Sequence, residues 1–461
     1  MCPHRSKLIS NGCSVANLIF RGLLVESKDH WLIAGRPEDF LTKPLFCSPP
    51  IANSPQLRCG RRAYYARLAV PDVSPQFPAD PETLSAALSA YLGARVEHLR
   101  VLASGWETTL YEFELLHRSA RLPQLPARAP LVLRFYPSVA AADKGATEFR
   151  TISHLAMAGY PVPRPYLFEP EGATIGAPFL VMERLGGGPL FAIRSFPQAF
   201  KTFSMGFLGF VRVQVRLHRM ALGSSVFEAP RTTAAANHPN RPDAARPDQN
   251  AVQDGARNSG QNTQQSMQQN GAATRLLELT LRTLAARVEQ GPLPGLAAAL
   301  EYLRRRAAEF KDAPPSFLHL DYHPQNVMVS GLRVTGVIDW ANAAIGDRHF
   351  DAATTAVILS TSAMEHPRWM RDNAAGNNLR RTFNALYLAL YQACAPMDLR
   401  RLRYYQGLAG ALRLSTLGMM RVRGPQSVGF RPGAITEVTP SVLRLVSGYV
   451  ARKTGTAVTI A

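Results

Sequence analysis

Between Phe317 and Trp340 two short apolar runs flank a Ser330-Gly331 pair, and polar residues crowd both ends of the unit. His319, Asp321, His323 and Asn326 precede the first run, and Asp339 follows the second. Apolar runs of this length around a Ser-Gly turn predict a β-hairpin. A hairpin brings its two ends together, so Asp321 and Asn326 on the loop before it converge with Asp339 at its far end. Asn326 and Asp339 are hard oxygen donors of the kind Mg2+ accepts alongside water and substrate phosphates. Asp321 is a separate carboxylate, able to take a proton from an attacking hydroxyl. A positioned phosphate, a metal and a base are the parts phosphoryl transfer requires. Asp and Asn in loops are more commonly turn formers, and a histidine such as His319 more commonly pins a loop than performs chemistry. The coupling of the whole set to a hairpin ending in Ile338-Asp339-Trp340 favours a functional reading. Asp321 and His319 are the candidate catalytic residues, and Asn326 and Asp339 the candidate metal ligands.

The text around this unit changes character along the chain. Residues 1–79 hold no sustained periodicity and recurrent proline, and read as a poorly ordered extension. At Asp80-Pro81 a helix start is expected, since Asp caps well and Pro suits the first helical position. Leu84, Leu88, Tyr91 and Leu92 then form a helical stripe, which Gly93 ends. Strand signals follow at Val96–Ala103, Thr108–Leu115, Leu131–Tyr136 and Phe179–Glu183, with a turn at Ser104-Gly105 and helical text from Ala140 to Ala158. Gly186-Gly187-Gly188 reads as a hinge between two lobes. Residues 194–222 are expected to be helical. Residues 231–274 are dominated by Asn, Gln, Ala, Asp and Ser, which cannot bury enough apolar area to offset ordering entropy, and read as a disordered insert. Helical periodicity resumes at Leu276–Val288 and Ala297–Phe310, then at Leu379–Cys394, Leu399–Met420 and Pro440–Val450. The expected architecture is therefore α+β, with a β-rich first lobe over residues 80–185, a helix-rich second lobe over 186–461 and a cleft between them.

The first lobe and the hairpin together resemble the aminoglycoside phosphotransferase/choline kinase superfamily of protein-kinase-like small-molecule kinases. The pattern His-Gly-Asp-x-His-x-x-Asn followed by Ile-Asp-(Trp/Phe) is met by His319, Asp321, His323, Asn326, Ile338, Asp339 and Trp340. Gly346, Asp347 and Asp351 match the segment after it, while Leu320 and Gln325 stand where Gly is common. The resemblance implies a bilobal kinase-like fold, Asp321 as base, Asn326 and Asp339 on Mg2+, and Asp351 bracing the catalytic loop. It places Ser104 and Gly105 over the phosphates of ATP. Arg134 stands where most members have Lys, and Glu148 is its helix partner. Met182 and Glu183 fall at the segment whose backbone would meet adenine. It covers roughly residues 80–455 and does not extend to residues 1–79.

Charge bears on the acceptor. Lys and Arg number 52 against 33 Asp and Glu, a net charge of +19. Such a balance attracts anions. Arg380, Arg381, Arg400, Arg401, Arg403, Arg413, Arg421 and Arg423 crowd the last helices with few acids between, which opposes a polycationic aminoglycoside and favours a neutral or anionic hydroxylated molecule. Tyr387, Tyr391, Tyr404 and Tyr405 leave open an aromatic cage for a choline-like cation. Three alternatives stand beside the kinase reading. A catalytically silent nucleotide-binding protein would have lost Asp321 or Asp339, and both are present. An aminoglycoside antibiotic kinase would need a carboxylate-rich pocket. A nucleic-acid binder would show a basic stripe with interleaved aromatics, and no specific nucleic-acid motif is found. No apolar run approaches the roughly 20 residues of a membrane span. The five cysteines, four of them before residue 60, form no CxxC pair and fit a reduced, cytoplasmic protein.

Overall fold

Helix α1 (Pro81–Leu92) buries Leu84, Leu88 and Leu92, the stripe expected from its spacing, and ends at Gly93 with φ near +65°. In this computed structural model the residues described are 81–104, 108–136, 141–191, 206–222, 257–291, 293–362 and 371–459. The expected cap Asp80, the extension 1–79, Gly105 and the first four cysteines lie outside them. An antiparallel five-stranded sheet follows, in the order β1-β2-β3-β5-β4. Its strands are β1 (Val96–Ser104), β2 (Thr109–Leu115), β3 (Leu131–Phe135), β4 (Pro165–Glu169) and β5 (Phe179–Glu183).

Every residue of the central strand β3 is buried, and alternation sorts its side chains. Leu131, Leu133 and Phe135 pack with the leucines of α1 in a core confined to the first lobe. Val132 faces the other way and joins Leu180 and Met182 in a core that continues into the second lobe. Arg134 lies on that second face by the same period, so β3 delivers a cation into the cleft. Helix α2 (Ala142–Met157) covers this side and buries Glu148 with Ile152 and Leu155.

The second lobe contains α3 (Phe207–His218), α4 (Arg257–Gln290), α5 (Ala297–Arg306), α6 (Arg348–Thr361), α7 (Ala374–Cys394), α8 (Leu399–Arg423) and α9 (Pro440–Thr454). The expected hairpin is present as β8 (Val327–Ser330) and β9 (Arg333–Val337), turning through Gly331 at φ near +64°. Strand β7 (Pro315–Leu318) does not extend the hairpin; it pairs with β10 (Ala344–Asp347). At Gly346 in β10 a Cβ would meet Leu276 at 2.4 Å, so glycine permits α4 to lie against this ribbon.

Two expectations change. The Gly186–Gly188 run is not a loose hinge. Gly188 begins β6 (Gly188–Pro189), which pairs with β8, and a Cβ on Gly187 would sit 2.1 Å from the Val329 carbonyl. Glycine here serves close backbone approach. The insert is also shorter than expected. Residues 223–256 lie outside the described residues, but α4 begins at Arg257, within the segment 231–274. Ala273 is buried in step with Leu277, Leu281 and Leu284, and Thr274 donates to the Lys311 carbonyl at 2.7 Å. Composition averaged over 44 polar and small residues conceals a helix whose stripe starts on an alanine.

Candidate active site

The loop between β7 and β8 is held from below by one carboxylate. Asp351, in the first turn of α6, is fully buried. Its Oδ1 accepts the backbone N–H groups of His319 (3.1 Å) and Leu320 (2.5 Å). Its Oδ2 accepts from Gln214 Nε2 and His218 Nε2 of α3, both at 2.9 Å. Burial opposes ionisation of Asp351, but the His218 hydrogen bond and charge, with His319 and Gln214, hold its carboxyl below the usual range. Leu320 adopts φ near +59°, a left-handed conformation costing a branched side chain roughly 1–2 kcal/mol. That is why glycine is common at this position, and the two bonds from Asp351 hold Leu320 there.

His319 lies at 0% exposure with both ring nitrogens engaged. Nδ1 accepts from the Asp321 N–H at 3.2 Å, so Nε2 carries the proton and donates to the Ile338 carbonyl at 3.0 Å. The ring also packs against Trp340 at a tilt of 52°, centroids 4.5 Å apart. His319 therefore couples the loop to the far end of the hairpin and has no nitrogen to offer a substrate. Its expected place among the catalytic residues is met by a buried ring that joins the loop to the hairpin.

Asp321, Asn326 and Asp339 do converge. Asn326 Nδ2 donates to the Asp321 carbonyl at 3.0 Å and to its Oδ2 at 3.3 Å. The Asn326 carbonyl accepts from the Ile338 N–H at 2.9 Å, one residue before Asp339. Asp321 keeps a third of its side-chain surface open, 33%, with His323 Nε2 at 3.6 Å from Oδ1. Asp339 adopts φ near +68°, which turns its carboxylate out of the strand direction.

Arg134 closes the first-lobe side. Its guanidinium bridges Glu148 Oε1 at 3.2 Å and Asp339 Oδ1 at 2.7 Å. Glu148 also accepts from Tyr136 Oη at 2.8 Å and the Trp340 N–H at 3.3 Å. The expected Arg134–Glu148 pair is thus present and buried, not a surface ion pair. Burial raises the Glu148 carboxyl above its ordinary range despite Arg134. Burial works against ionisation of Asp339 too, but the Arg134 charge and hydrogen bond prevail, with His319 and His323 adding to them, and its carboxyl is lowered. Asn326 Oδ1 and Asp339 Oδ2 accept no hydrogen bond from the described residues. Two hard oxygens on adjoining segments fit Mg2+, which fills its remaining positions with water and phosphate. No larger His/Cys/Asp/Glu cluster able to hold a metal occurs among the described residues.

The remaining expected contacts are placed less fully. Ser104 is described only as the last residue of β1. Met182 is buried on the cleft face of β5, and Glu183 is exposed beyond it. The N–H groups of Glu183 and Arg184 already donate to the carbonyls of Arg164 and Pro130. The N–H groups of Glu183 and Arg184 are therefore engaged within the protein. Arg431 of the second lobe donates to Thr109 Oγ1 of β2 at 2.9 Å, linking the lobes beside this opening.

The arginines of the last helices do not act as a group. Arg380 bonds Arg371 O and Asn377 Oδ1, Arg401 bonds Phe310 O and Asp347, and Arg403 bonds carbonyls at the end of α9. Arg381, Arg400, Arg421 and Arg423 are exposed. The tyrosines form no cage either. Tyr387, Tyr391, Tyr404 and Tyr405 are core residues, and Tyr387 and Tyr404 spend their hydroxyls on Gln214 and Leu303 O. Gln214 and His218 escaped the sequence reading. Their only signal is two polar residues four apart inside an apolar helix.

Known proteins bear out this reading of the fold. Residues 98–397, more than half of the chain, match the phosphotransferase enzyme family. No curated protein matches the sequence. The crystal structure of aminoglycoside phosphotransferase APH(4)-Ia superposes with a TM-score of 0.50 at 16% identity, covering 82% of this chain and 99% of that one. A thermostable mutant of the same enzyme, in ternary complex with ADP and hygromycin B, gives 0.50 at 14% identity over 81% and 98%. Likeness at that identity speaks for the bilobal kinase-like architecture, and the family match carries the rest: the chain belongs to the phosphotransferase enzyme family and is a small-molecule phosphotransferase.

Proposed function

We propose that the protein transfers the γ-phosphate of ATP to a hydroxyl of a small, non-polycationic molecule, with Mg2+ held by Asn326 and Asp339. The observation that carries this reading is the convergence of Asp321, Asn326 and Asp339 on one loop-and-hairpin unit, clamped by Asp351 below and Arg134 above. Bound Mg2+ supplies charge neutralisation at the β- and γ-phosphates. The protein's own groups do the rest. Asp321 accepts a hydrogen bond from the acceptor hydroxyl and orients its oxygen toward the γ-phosphorus. As the new O–P bond forms and the bond to the β-phosphate oxygen breaks, ADP leaves and the hydroxyl proton passes to the Asp321 carboxylate. Arg134, neutralised on one side by Glu148, presents the remaining N–H groups of its planar fork to the phosphates. Little covalent chemistry is asked of the protein; rigid placement supplies the rate.

The acceptor side favours a neutral or anionic molecule. The APH(4)-Ia complex contains hygromycin B, and an aminoglycoside acceptor is the competing reading for this chain. It would require a carboxylate-rich pocket, whereas the chain as a whole carries a net charge of +19. A cytoplasmic location is part of the proposal, and no described helix is long and apolar enough to cross a membrane. A screen of hydroxylated metabolites and aminoglycosides for ATP-dependent ADP release tests the proposal. Release with an aminoglycoside at kcat/KM above about 10⁴ M⁻¹s⁻¹, the low end of ordinary enzymes, would decide for the antibiotic-kinase reading.

A further inference from the structure

Helix α3 has two faces with different work. Gln214 and His218 point inward and hold Asp351. At about 100° per residue, Arg212, Arg216 and Arg219 fall within roughly 60° of one another on the opposite side, and all three are exposed. With Val215, Met220 and Cys394 at the end of α7 they line a groove of about 430 Å³, inside the range of roughly 300–1,000 Å³ that small ligands occupy. No carboxylate lines the groove, and α3 contains none. Two of the guanidiniums are tied in place. Arg216 Nη2 donates to the Gly159 carbonyl at 2.9 Å, with the guanidinium carbon 5.9 Å from the centre of the Tyr160 ring. Arg219 Nη2 donates to the Cys394 carbonyl. Arg212 forms no hydrogen bond or ion pair with any described residue.

A single exposed arginine needs no partner, and one cation near the end of α3 would answer the helix dipole. Three exceed that need, because like charges three and four residues apart oppose the helix that carries them. An anion in the groove removes that repulsion. Arg216 and Arg219 each give one nitrogen to a carbonyl and keep their other donors for a ligand. Holding them in place beforehand lowers the ordering cost of binding, while Arg212 is free to close. A planar guanidinium takes two phosphate oxygens together. Arg212 and Arg219 stand about 10 Å apart along the helix axis, a span that linked phosphates bridge better than a single one.

We propose that this groove is a second anion site, apart from the catalytic residues, and that it binds a small molecule carrying two or more linked phosphates. The phosphates bridge Arg212, Arg216 and Arg219, and Val215 and Met220 offer the rest of the ligand an apolar floor. A free oligophosphate and a nucleoside polyphosphate share this chemistry, and the test separates them. A groove of bounded volume beside one short helix favours a small ligand over a polymer. The inference does not depend on the identity of the acceptor or on the kinase reading.

The test uses full-length protein in EDTA, which suppresses Mg2+-dependent binding in the cleft. Tripolyphosphate, ATP and inorganic phosphate are titrated by calorimetry into the wild type, Arg212→Glu and Arg212→Lys. Alkylation of Cys394 by iodoacetamide, an uncharged reagent, is followed by peptide mass mapping and reports on the groove alone. Tripolyphosphate should bind the wild type at least about tenfold more tightly than inorganic phosphate, since linked groups bind as one. It should slow Cys394 alkylation by about tenfold at ten times its Kd. Arg212→Glu breaks no bond within the protein and should weaken binding by about tenfold or more, the loss expected for a charged hydrogen bond. Arg212→Lys should fall between, keeping charge without the fork. ATP binding no tighter than tripolyphosphate assigns recognition to the phosphates alone, and tighter ATP binding identifies a nucleoside polyphosphate; either supports the site. Failure of both to bind, binding that leaves a reactive Cys394 unprotected, or equal binding by Arg212→Glu overturns it. Should Cys394 not react at all, the calorimetric difference between the wild type and Arg212→Glu decides alone. Protection by a single-stranded oligonucleotide but by neither small ligand overturns the proposal and makes this face a nucleic-acid surface.

Discussion

The nucleotide end and the acceptor end of the cleft are built to opposite effect. At the nucleotide end one arginine meets two carboxylates at 3.2 and 2.7 Å, and a tyrosine hydroxyl and a backbone N–H complete the set. At the acceptor end Asp321 keeps a third of its side-chain surface open, 33%, with Asn326 Nδ2 at 3.3 Å and His323 Nε2 at 3.6 Å from its carboxylate. The first arrangement is buried and tied across the lobes, with Arg134 Nε left without a partner; the second is partly open to solvent. A phosphotransferase profits from this division. A nucleotide phosphate donor is common to such reactions and can be met by a preset cradle. The acceptor differs from enzyme to enzyme, and specificity comes from charges that only the right molecule satisfies.

The sharpest way to separate the two ends is at the base. Asp321→Asn keeps size and removes the proton acceptor, so turnover should fall by about 10²–10⁴, the usual range for loss of a general base. AMP-PNP affinity should survive, because Asp321 stands at the acceptor end. Turnover near that of the wild type in a single-turnover assay would move the base elsewhere.

Breaking the nucleotide end should instead show in stability. Arg134→Met leaves Glu148 buried beside Tyr136 without its cation, and the loss on denaturant unfolding should be about 3–5 kcal/mol. Replacing both, Arg134→Met with Glu148→Leu, should recover much of it, since the orphaned charge goes too. Equal losses in the single and double variants would show that the pair does not act as a unit.

Acid should act weakly and in a narrow window. The carboxyls of Asp339 and Asp351 are lowered, so their stabilisation is complete above the unfolded value near pH 4 and is lost as pH falls through the folded values. Glu148 is raised and has the opposite sign, giving up stability as pH rises through its folded value. Stability measured by chemical denaturation should therefore change little above about pH 5 and decline below about pH 4. Asp351→Asn should flatten the decline; an unchanged slope in that variant would place the acid sensitivity elsewhere.

What could be read from the sequence was decided by range. The hairpin, its turn and the convergence of Asp321, Asn326 and Asp339 depend on contacts within 25 residues, and apolar periodicity reports such contacts directly. Leu320 was visible as a departure from glycine, and its positive φ gives that departure a physical meaning. Gln214 and His218 were not visible, because their importance comes from Asp351 more than 130 residues away. The arginine-rich helices misled in a different way. Composition counts charges without saying which are tied to carbonyls, and Arg401 and Arg403 look the same as the exposed Arg421 until the helices pack. The start of α4 was lost because an alanine stripe inside Gln- and Asn-rich text carries almost no hydrophobic signal.

The bond from Arg134 to Asp339 spans 205 residues, and that from Thr109 to Arg431 spans 322. Translation sets a clock on such contacts. At about 5–20 residues per second, roughly 10–40 s pass between the emergence of Arg134 from the ribosome and that of its second partner. During that interval the first sheet has its α1 core in place, but its other face, with Val132, Leu180 and Met182, has only α2 to lie against. The nascent first lobe is thus a sheet with one greasy side and a half-paired cation, a natural client for a chaperone until the hairpin is made.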